Sequence, residues 1–300
     1  MALEVTRLST EQNNPLTVAI DRVDTLEAMR MIHHEDLVAV EAMDAVLPVL
    51  AAAADEIAAR LQAGGRLFYA GAGTSGRIGV LDASELPATY GTDPALVKAL
   101  VPEGYATLHD ARLGDEDNAE FARADLIAEG LSAADAVVGI AASGRTPYTY
   151  EALRFARERG AFTLAIVNAP HSRLETAAQM TAVIDTGAEA IQGSTRMKAG
   201  TTQKLALNML STVVMIRLGK VYQNRMVEIT AINEKLEERG AQMLSELIGA
   251  DVEMARRTLL ACDGHVKTAA AALLCDCDAA EARRRLEACG GHLARLLREG

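Results

Sequence analysis

The sequence predicts an α/β protein in which a parallel β-sheet is flanked by helices. Two observations predict this class and the division of the chain into parts. Short apolar stretches alternate with stretches whose apolar residues are spaced three or four apart, as strands and helices do in such a protein. After Gly240, every stretch has the helical spacing. We therefore expect a helical lead-in at 1–58, an α/β core at 59–237 and a small all-α module at 238–300.

The lead-in is predicted to be helical from Ser9 to Leu61. Its apolar residues recur at three- and four-residue steps, and Gly64 follows as a typical helix end. No apolar run reaches the roughly 18 residues of a membrane span. The first residues also lack the basic and apolar regions of a secretory signal. We expect a cytoplasmic protein that does not enter a membrane.

Five short apolar runs in the core are predicted to be strands. They are Arg66–Ala70, Leu96–Val101, Ala136–Ala141, Phe162–Val167 and Thr181–Asp185. Pro147 suits the first position of a helix that runs to about Arg159. A second helix, Met197–Leu218, is apolar over most of its circumference, so we expect it to be buried in the core or in a subunit interface.

The charge balance excludes one class of partner. The formal net charge is −11, and the chain has four Phe, six Tyr and no Trp. An acidic protein with few aromatic side chains repels a polyanion and offers little surface for base stacking, so we expect no nucleic acid partner. A small anion is still possible, because backbone N–H groups at a helix start bind phosphate without net positive charge.

All four cysteines lie in the last 40 residues, and their spacing does not fit a zinc site. Two of them belong to a repeat: Ala255–Val266 and Ala282–Leu293 match at eight of twelve positions. Each copy is predicted to be a helix that ends at a cysteine, with a glycine two residues later as its cap. Cys262 and Cys289 are therefore expected to be small buried residues at equivalent helix ends.

Three loops rich in Ser, Thr and Gly are candidates for binding a ligand. They are Gly73–Gly76, Ala142–Thr146 and Gln192–Lys198. In open α/β sheets, ligands bind beyond the carboxyl ends of the strands, where loops meet helix starts. Glycine allows close approach of an anion, and hydroxyl groups donate hydrogen bonds to it. Three such loops in one core favour a phosphate-bearing ligand, although the chain lacks the G-x-x-x-x-G-K-[ST] loop of ATP-hydrolysing proteins.

Two acidic positions lie near these loops. Glu85 follows the first loop and precedes Pro87, which is expected to end its helix, and three acids stand together at 115–117. By themselves these acids also suit a solvent-exposed surface or the first turn of a helix. If the fold brings the two regions together, they can supply a general acid and a general base.

The motifs resemble those of a known family. Three loops of this kind on a flavodoxin-like sheet resemble the sugar isomerase (SIS) domain. More narrowly, the chain resembles N-acetylmuramic acid 6-phosphate etherases in Gly71-Ala-Gly-Thr-Ser-Gly-Arg, Leu81-Asp-Ala-Ser-Glu-Leu-Pro, Ala142-Ser-Gly-Arg-Thr, Gly193-Ser-Thr-Arg-Met-Lys and Asn233-Glu-Lys-Leu. The likeness runs from Thr10 into the C-terminal module.

The resemblance implies a lyase that cleaves the D-lactyl ether of N-acetylmuramic acid 6-phosphate in cell-wall sugar recycling. It also implies a homodimer without metal or cofactor. The family's acid and base map onto Glu85 and Glu116. The expected substrate-binding residues are Thr74, Ser75, Gly76, Ser143, Gly144, Arg145, Thr146, Ser194, Thr195 and Lys198.

The segment around the expected base departs from the family's pattern. Leu113-Gly-Asp-Glu-Asp117 stands where the family usually has Glu-Gly-Ala-Glu-Asp. Asp115 and Asp117 therefore compete with Glu116 for the role of base, and we favour Glu116 because it keeps the family's position.

Two other functions remain alternatives. Proteins related to the glucokinase regulator share two of the loops and sense phosphosugars without converting them, but a sensor needs no pair of carboxylates. An aldose–ketose isomerase also removes a C2 proton with a carboxylate base, and it forms a ketose instead of lactate.

Overall fold

The computed structural model describes residues 8–108, 115–231 and 234–299, and it confirms the α/β class. The strands of the main sheet are β1 (Leu67–Gly71), β2 (Val97–Leu100), β3 (Ala136–Ala141), β4 (Phe162–Val167) and β5 (Met180–Val183). They are all parallel, in the order β2-β1-β3-β4-β5. Every residue of β1, β3 and β4 is buried, which explains why each appears in the sequence as a continuous apolar run.

Twelve α-helices are present in the described residues. They are α1 (Thr25–Glu41), α2 (Leu47–Gln62), α3 (Gly73–Tyr90), α4 (Ala119–Ala128), α5 (Pro147–Glu158), α6 (Leu174–Ala177), α7 (Lys198–Arg217), α8 (Glu234–Ile248), α9 (Val252–Ala261), α10 (Val266–Leu274), α11 (Ala279–Ala288) and α12 (Leu293–Glu299). The lead-in is less helical than expected, because only single 3-10 turns precede α1. The Asp24 side chain caps the start of α1 by accepting a hydrogen bond from the N–H of Glu27 at 2.9 Å.

The chain folds as two compact units. The first contains the described residues of Met1–Ser84 and Ala95–Ser211, and the second contains those of Glu85–Pro94 and Thr212–Gly300. The division falls within α3 and within α7, so a short stretch after Ser84 belongs with the C-terminal helices.

Helices cover both faces of the sheet in the first unit. Phe68 faces a core that includes Leu126 of α4 and Leu153 of α5. Its neighbour Tyr69 points to the opposite face, where a Cβ placed on Gly79 of α3 would lie 3.2 Å from the Tyr69 Cβ. Because both faces of the sheet are buried, the position of each strand is fixed, and the loops at the carboxyl ends of the strands have fixed positions too.

The second unit confirms the predicted repeat. Its helices α9 and α11 end at Cys262 and Cys289, and the next two residues have positive φ in both copies. Cys262 is buried as expected, but the expectation of burial is wrong for Cys289, which is half-buried because it lies near the C-terminal end of the chain, where only α12 follows. Gly264 N donates to Leu259 O at 2.9 Å, as Gly291 N does to Leu286 O at 2.7 Å. A small antiparallel hairpin, formed by β6 (Val221–Tyr222) and β7 (Arg225–Met226), was not predicted from the sequence.

Within the residues that the structure describes, one helical stretch is long and apolar enough to cross a membrane. Thr25–Gln62 passes this test by length and composition alone, and a third of its most apolar window is buried within the protein. Core helices of soluble proteins pass the same test, so the stretch is weak support for a membrane span.

An ion pair between a buried carboxylate and a half-buried guanidinium group joins the starts of β1 and β3. The carboxylate of Asp135 accepts hydrogen bonds from the backbone N–H groups of Arg66 and Ser132, both at 2.8 Å, and pairs with the Arg66 guanidinium at 3.2 Å. Burial alone would raise the pKa of Asp135, but the hydrogen bonds from Ser132 and Arg66 outweigh burial and lower that pKa. The ionised carboxylate therefore stabilises the folded state.

We expect Asp135→Asn to lower the free energy of unfolding by about 2 kcal/mol at pH 7. Because folding lowers this pKa, the stabilisation is complete above the unfolded-state value of about 3.9 and is lost as pH falls through the lower folded-state value. Urea unfolding at pH 7 and at pH 3 should show the difference from wild type shrinking with acid. Asp44→Asn, at an exposed position, is the control. A loss of equal size at both pH values would contradict this account.

Candidate active site

The first and second candidate loops lie side by side. They follow β1 and β3, which are neighbours in the sheet and pair in parallel up to Gly71 opposite Ile140. Thr74, Ser75 and Gly76 therefore stand beside Ser143 and the residues that follow it, at the carboxyl edge of the sheet. This is the position expected for a ligand site in an open α/β sheet.

The first candidate loop is the opening turn of a helix. Because α3 begins at Gly73, Thr74 and Ser75 lie in its first turn, with Ser75 buried and Thr74 half-buried. Gly76 N donates to Ala72 O at 3.1 Å, which closes that turn. The preceding N–H groups of the turn lie at the positive end of the helix, where an anion is stabilised.

Gly76 is required by the close approach of β1 to α3. A Cβ placed on Gly76 would lie 2.5 Å from the carbonyl oxygen of Gly71 and 2.8 Å from Cγ1 of Val101. No side chain fits there without moving the backbone. The absence of a side chain at Gly76 lets α3 start directly beyond the strand.

The second candidate loop leads into α5. Gly144 has a φ of +62°, and a Cβ there would lie 2.3 Å from the Cβ of Ser172. Thr146 precedes α5 but its side chain makes no capping hydrogen bond, and Pro147 occupies the first helical position. The Thr146 hydroxyl and the start of α5 are thus suited to an anion, and half-buried Ser143 and Arg145 lie beside them.

The third candidate loop meets the first through α7. A Cβ placed on Gly200, in the first turn of α7, would lie 3.6 Å from Cγ2 of Thr74. Gly200 N donates to Thr195 O at 2.9 Å. Ser194 and Thr195 are both half-buried. The structure therefore brings elements of all three loops together in the first unit.

The start of α7 already holds a carboxylate. Both oxygens of Glu189, which is fully buried, accept hydrogen bonds from the helix, at 2.8 Å from Lys198 N and at 3.0 Å from Ala199 N. Burial raises the pKa of Glu189, while these hydrogen bonds oppose that increase. The start of α7 therefore differs from those of α3 and α5, since its N–H groups have a resident anionic side chain.

Lys198 is engaged inside the protein. It is 3% exposed, and its ammonium group donates to the carboxylate of Glu35 on α1, which is also 3% exposed. Together with Glu189 this makes a cluster of two carboxylates and one ammonium group. In this structure, Lys198 holds α1 to the start of α7.

Glu116 lies on a single turn of 3-10 helix, Asp115–Asp117, that packs against α5. The side chains of Glu116 and Asp117 are both exposed. Residues 109–114, and with them Leu113, lie outside the described residues. The turn is therefore close to α5, the helix that follows the second loop. Exposure does not show which of Glu116 and Asp117 is the base, because both are exposed.

Glu85 is exposed on α3 and belongs to the second unit. The expectation that Pro87 ends this helix is wrong, because Pro87 lies inside α3, which continues to Tyr90. Gly91 N donates to Pro87 O at 3.0 Å, and Gly91 has a φ of +59°. Proline lacks only its own N–H, so its carbonyl still supports the last turn, and the helix ends at the left-handed glycine.

Sequence reasoning did not assign a role to Asp82, one turn before Glu85. Its carboxylate, 5% exposed, accepts hydrogen bonds from Tyr69 OH at 2.8 Å, Asn208 Nδ2 at 2.7 Å and Ser211 Oγ at 3.1 Å. Burial raises the pKa of Asp82, although these three donors oppose it. Asp82 thus ties α3 to β1 and to α7. Its place in the Asp-Ala-Ser-Glu motif was the only available signal.

Arg77 was also missed. Its Nε donates to the carbonyl oxygen of Leu108 at 3.0 Å, so the arginine of the Gly-Thr-Ser-Gly-Arg motif holds the Tyr105–Leu108 turn against α3. Ser172 is a third such residue, since its buried hydroxyl lies against Gly144 and has no hydrogen-bond partner among the described residues.

The described residues contain no cluster of His, Cys, Asp and Glu that could hold a metal ion.

We expect Gly76→Ala to lower the free energy of unfolding by about 2 kcal/mol, because the added methyl group overlaps backbone atoms. Gly200→Ala is the matched control in the first turn of another helix, where the nearest atom to a new Cβ is 3.5 Å away. It should change stability by less than about 1 kcal/mol, since alanine also favours the helix. Chemical unfolding of both variants tests this, and equal stability of the two would count against the close approach.

Two family models match the α/β part of the chain. The model for the SIS domain matches residues 118–213. The model for the glucokinase regulatory protein N-terminal SIS domain matches residues 49–157. The five-stranded parallel sheet is therefore an SIS-type sheet.

Curated relatives match nearly the whole chain. An N-acetylmuramic acid 6-phosphate etherase of Symbiobacterium thermophilum is 50% identical, over 91% of this chain and 90% of the relative. Proteins of the same name from Pectobacterium atrosepticum and Escherichia coli O157:H7 are 49% and 47% identical, over 91% and 93% of this chain and 90% and 94% of the relatives. The chain belongs to the N-acetylmuramic acid 6-phosphate etherase family.

Proposed function

We propose that this protein cleaves the D-lactyl ether of N-acetylmuramic acid 6-phosphate to give N-acetylglucosamine 6-phosphate and D-lactate. The observation that carries the proposal is identity near 50% with etherases over nine-tenths of the chain. The two helix starts at the carboxyl edge of the sheet support it, because they suit a phosphate group. The setting is recycling of cell-wall sugar in the cytoplasm, without a metal or cofactor.

The phosphate group is held at the starts of α3 and α5. Ser75, Ser143 and Thr146 supply hydroxyl groups there, and Thr74, Gly76 and Gly144 bring backbone atoms close. The start of α7 is not available to the phosphate, because the carboxylate of Glu189 occupies its N–H groups. A second anion there would face like charge.

Other parts of the substrate contact the remaining predicted residues. Ser194 and Thr195 suit polar groups of the sugar, since they are half-buried and lie near Thr74. Arg145 suits the lactate carboxylate or the phosphate. Lys198 acts indirectly, by holding the start of α7 through Glu35.

The reaction is an elimination followed by addition of water. In the open-chain sugar, the C1 aldehyde acidifies the C2 proton, and Glu116 takes that proton to leave an enolate, which can either take a proton back at C2 or expel the lactate oxygen from C3. The C2–C3 double bond forms as the C3–O bond breaks, while Glu85 gives its proton to the departing lactate oxygen. Water then adds its oxygen to C3 with loss of a proton to Glu85, and Glu116 returns a proton to C2. Both glutamates end in their starting states.

The test is D-lactate release from N-acetylmuramic acid 6-phosphate. Glu85→Ala and Glu116→Ala should each lower the rate at least about 100-fold, the usual contribution of a positioned acid or base. Asp115→Ala and Asp117→Ala are the matched controls for the base and should keep activity. Full activity of Glu85→Ala would contradict its role, and loss of activity only in Asp115→Ala or Asp117→Ala would reassign the base.

A second candidate function is sensing of a phosphosugar without turnover. The match of residues 49–157 to the glucokinase regulatory protein SIS model favours it. Wild-type protein that binds the sugar phosphate and releases no D-lactate would support the sensor and contradict the etherase. Formation of a ketose would instead indicate an isomerase.

We also propose that the protein is a homodimer. Helix α1 carries a stripe of exposed apolar side chains at helical spacing, Leu26, Met29, Leu37 and Val40, each between 49% and 63% exposed. A second copy that covers this α1 stripe would explain why a helix with membrane-like composition occurs in a protein of this family.

We expect the double variant Met29→Asp, Leu37→Asp to be monomeric in light scattering, while wild type is a dimer. Two buried carboxylates in an apolar interface would be strongly unfavourable. Ile127→Asp is the control, since Ile127 is an exposed apolar residue on α4, outside the α1 stripe. Dimers formed equally by the double variant would place the interface elsewhere.

A further inference from the structure

The last turn of α3 packs against the C-terminal part of the chain. Within the second unit, residues 85–94 pack with 212–300. At Gly91, which ends α3, a Cβ would lie 2.9 Å from the carbonyl oxygen of Glu228. The turn that carries Glu85 is therefore followed by a backbone-to-backbone contact with the segment around Glu228.

That segment is held from both sides. Val227 and Ile229 are buried beside Glu228. Val266 N donates to Ile229 O at 3.2 Å, so the segment is bonded to the start of α10. The Glu228 carboxylate accepts a hydrogen bond from Lys267, on the first turn of α10, and lies 3.5 Å from the ammonium group of Lys220.

Lys267 joins Glu228 to two helix ends. Its ammonium group donates to Gly219 O at 3.2 Å and to Gly291 O at 2.9 Å, in addition to Glu228. Gly219 follows the end of α7 and Gly291 follows the end of α11, both with positive φ. An ammonium group has three N–H donors, so all three are used, and a cation at the C-terminal end of a helix is electrostatically favoured.

We infer that Lys267 is a positioning residue for Glu85, acting through Glu228 and Gly91. This inference rests on the proposed function, in which Glu85 is the general acid. Without the ammonium group, two carbonyl groups lose their donor and the Glu228 carboxylate loses its closest partner. The segment around Glu228 can then shift, and the turn that carries Glu85 shifts with it. The helical module thus has a role in the reaction without touching substrate.

The test separates the step that needs the acid from the step that does not. D-lactate release needs Glu85, whereas uptake of solvent deuterium at C2 needs only the base. In Lys267→Met, D-lactate release should fall about 100-fold, as expected for a catalytic group displaced by about 1 Å. Deuterium uptake at C2, counted in substrate and product together, should keep its wild-type rate.

Two further variants sharpen the result. Glu228→Gln keeps the shape of the side chain and removes its charge, so it should show the same split as Lys267→Met. The double variant should lose no more D-lactate release than either single variant, because the two residues act through one contact. Arg284→Met is the control, since it removes a cation from the exposed surface of α11 and should leave both rates unchanged.

Equal loss of both rates, or no loss of either, in a folded Lys267→Met would overturn the inference. If Lys267→Met does not fold, Glu228→Gln carries the test with the same criteria. Failure of the proposed function is a separate result, because wild-type protein would then release no D-lactate.

Discussion

A buried carboxylate at the start of α7 decides how the site can work. Glu189 accepts hydrogen bonds from the N–H groups of Lys198 and Ala199, and the Lys198 ammonium group is the cation shared between Glu189 and Glu35. Removing two carboxylates and one ammonium group from water destabilises the folded state unless every group is hydrogen-bonded. The arrangement fixes α7 against α1, and it is the reason that the phosphate group is proposed to bind at the starts of α3 and α5.

Helix α3 is held at both ends and in the middle by different parts of the chain. Its first turn is set against β1 by the absence of a side chain at Gly76. Asp82 fixes its rotation through Tyr69, Asn208 and Ser211. Its last turn is held by Gly91 against the Glu228 backbone. One helix therefore carries a proposed phosphate-binding residue near one end and the proposed acid near the other, and each end has its own support.

The sequence predicted the parts of the fold that local patterns determine. The five strands are continuous apolar runs because they are buried on both faces, and the start of α5 is marked by Pro147. The helix ends at Cys262 and Cys289 followed from the repeat. Pro87 was misjudged because a proline removes one hydrogen bond but does not stop the helix when its carbonyl still has a donor.

Long-range partners could not be predicted in the same way. The pairing of Lys198 with Glu35 is an example, because the two residues are 163 positions apart and no local pattern links them. The capping of α7 by Glu189 and the three donors on Asp82 likewise depend on packing between elements that are distant in sequence. The candidate loops were found because Gly, Ser and Thr at strand ends form a local signal, whereas the groups that position them do not.

The phosphate group is proposed to bind at the starts of α3 and α5 and not at the start of α7. Calorimetric titration with N-acetylglucosamine 6-phosphate, the proposed product, tests this proposal without turnover. Ser75→Ala and Thr146→Ala should each raise Kd about tenfold or more, the effect of losing a hydrogen bond to a charged group. Ser194→Ala should raise it much less. A large loss of affinity in Ser194→Ala, with wild-type affinity in the other two variants, would contradict the account.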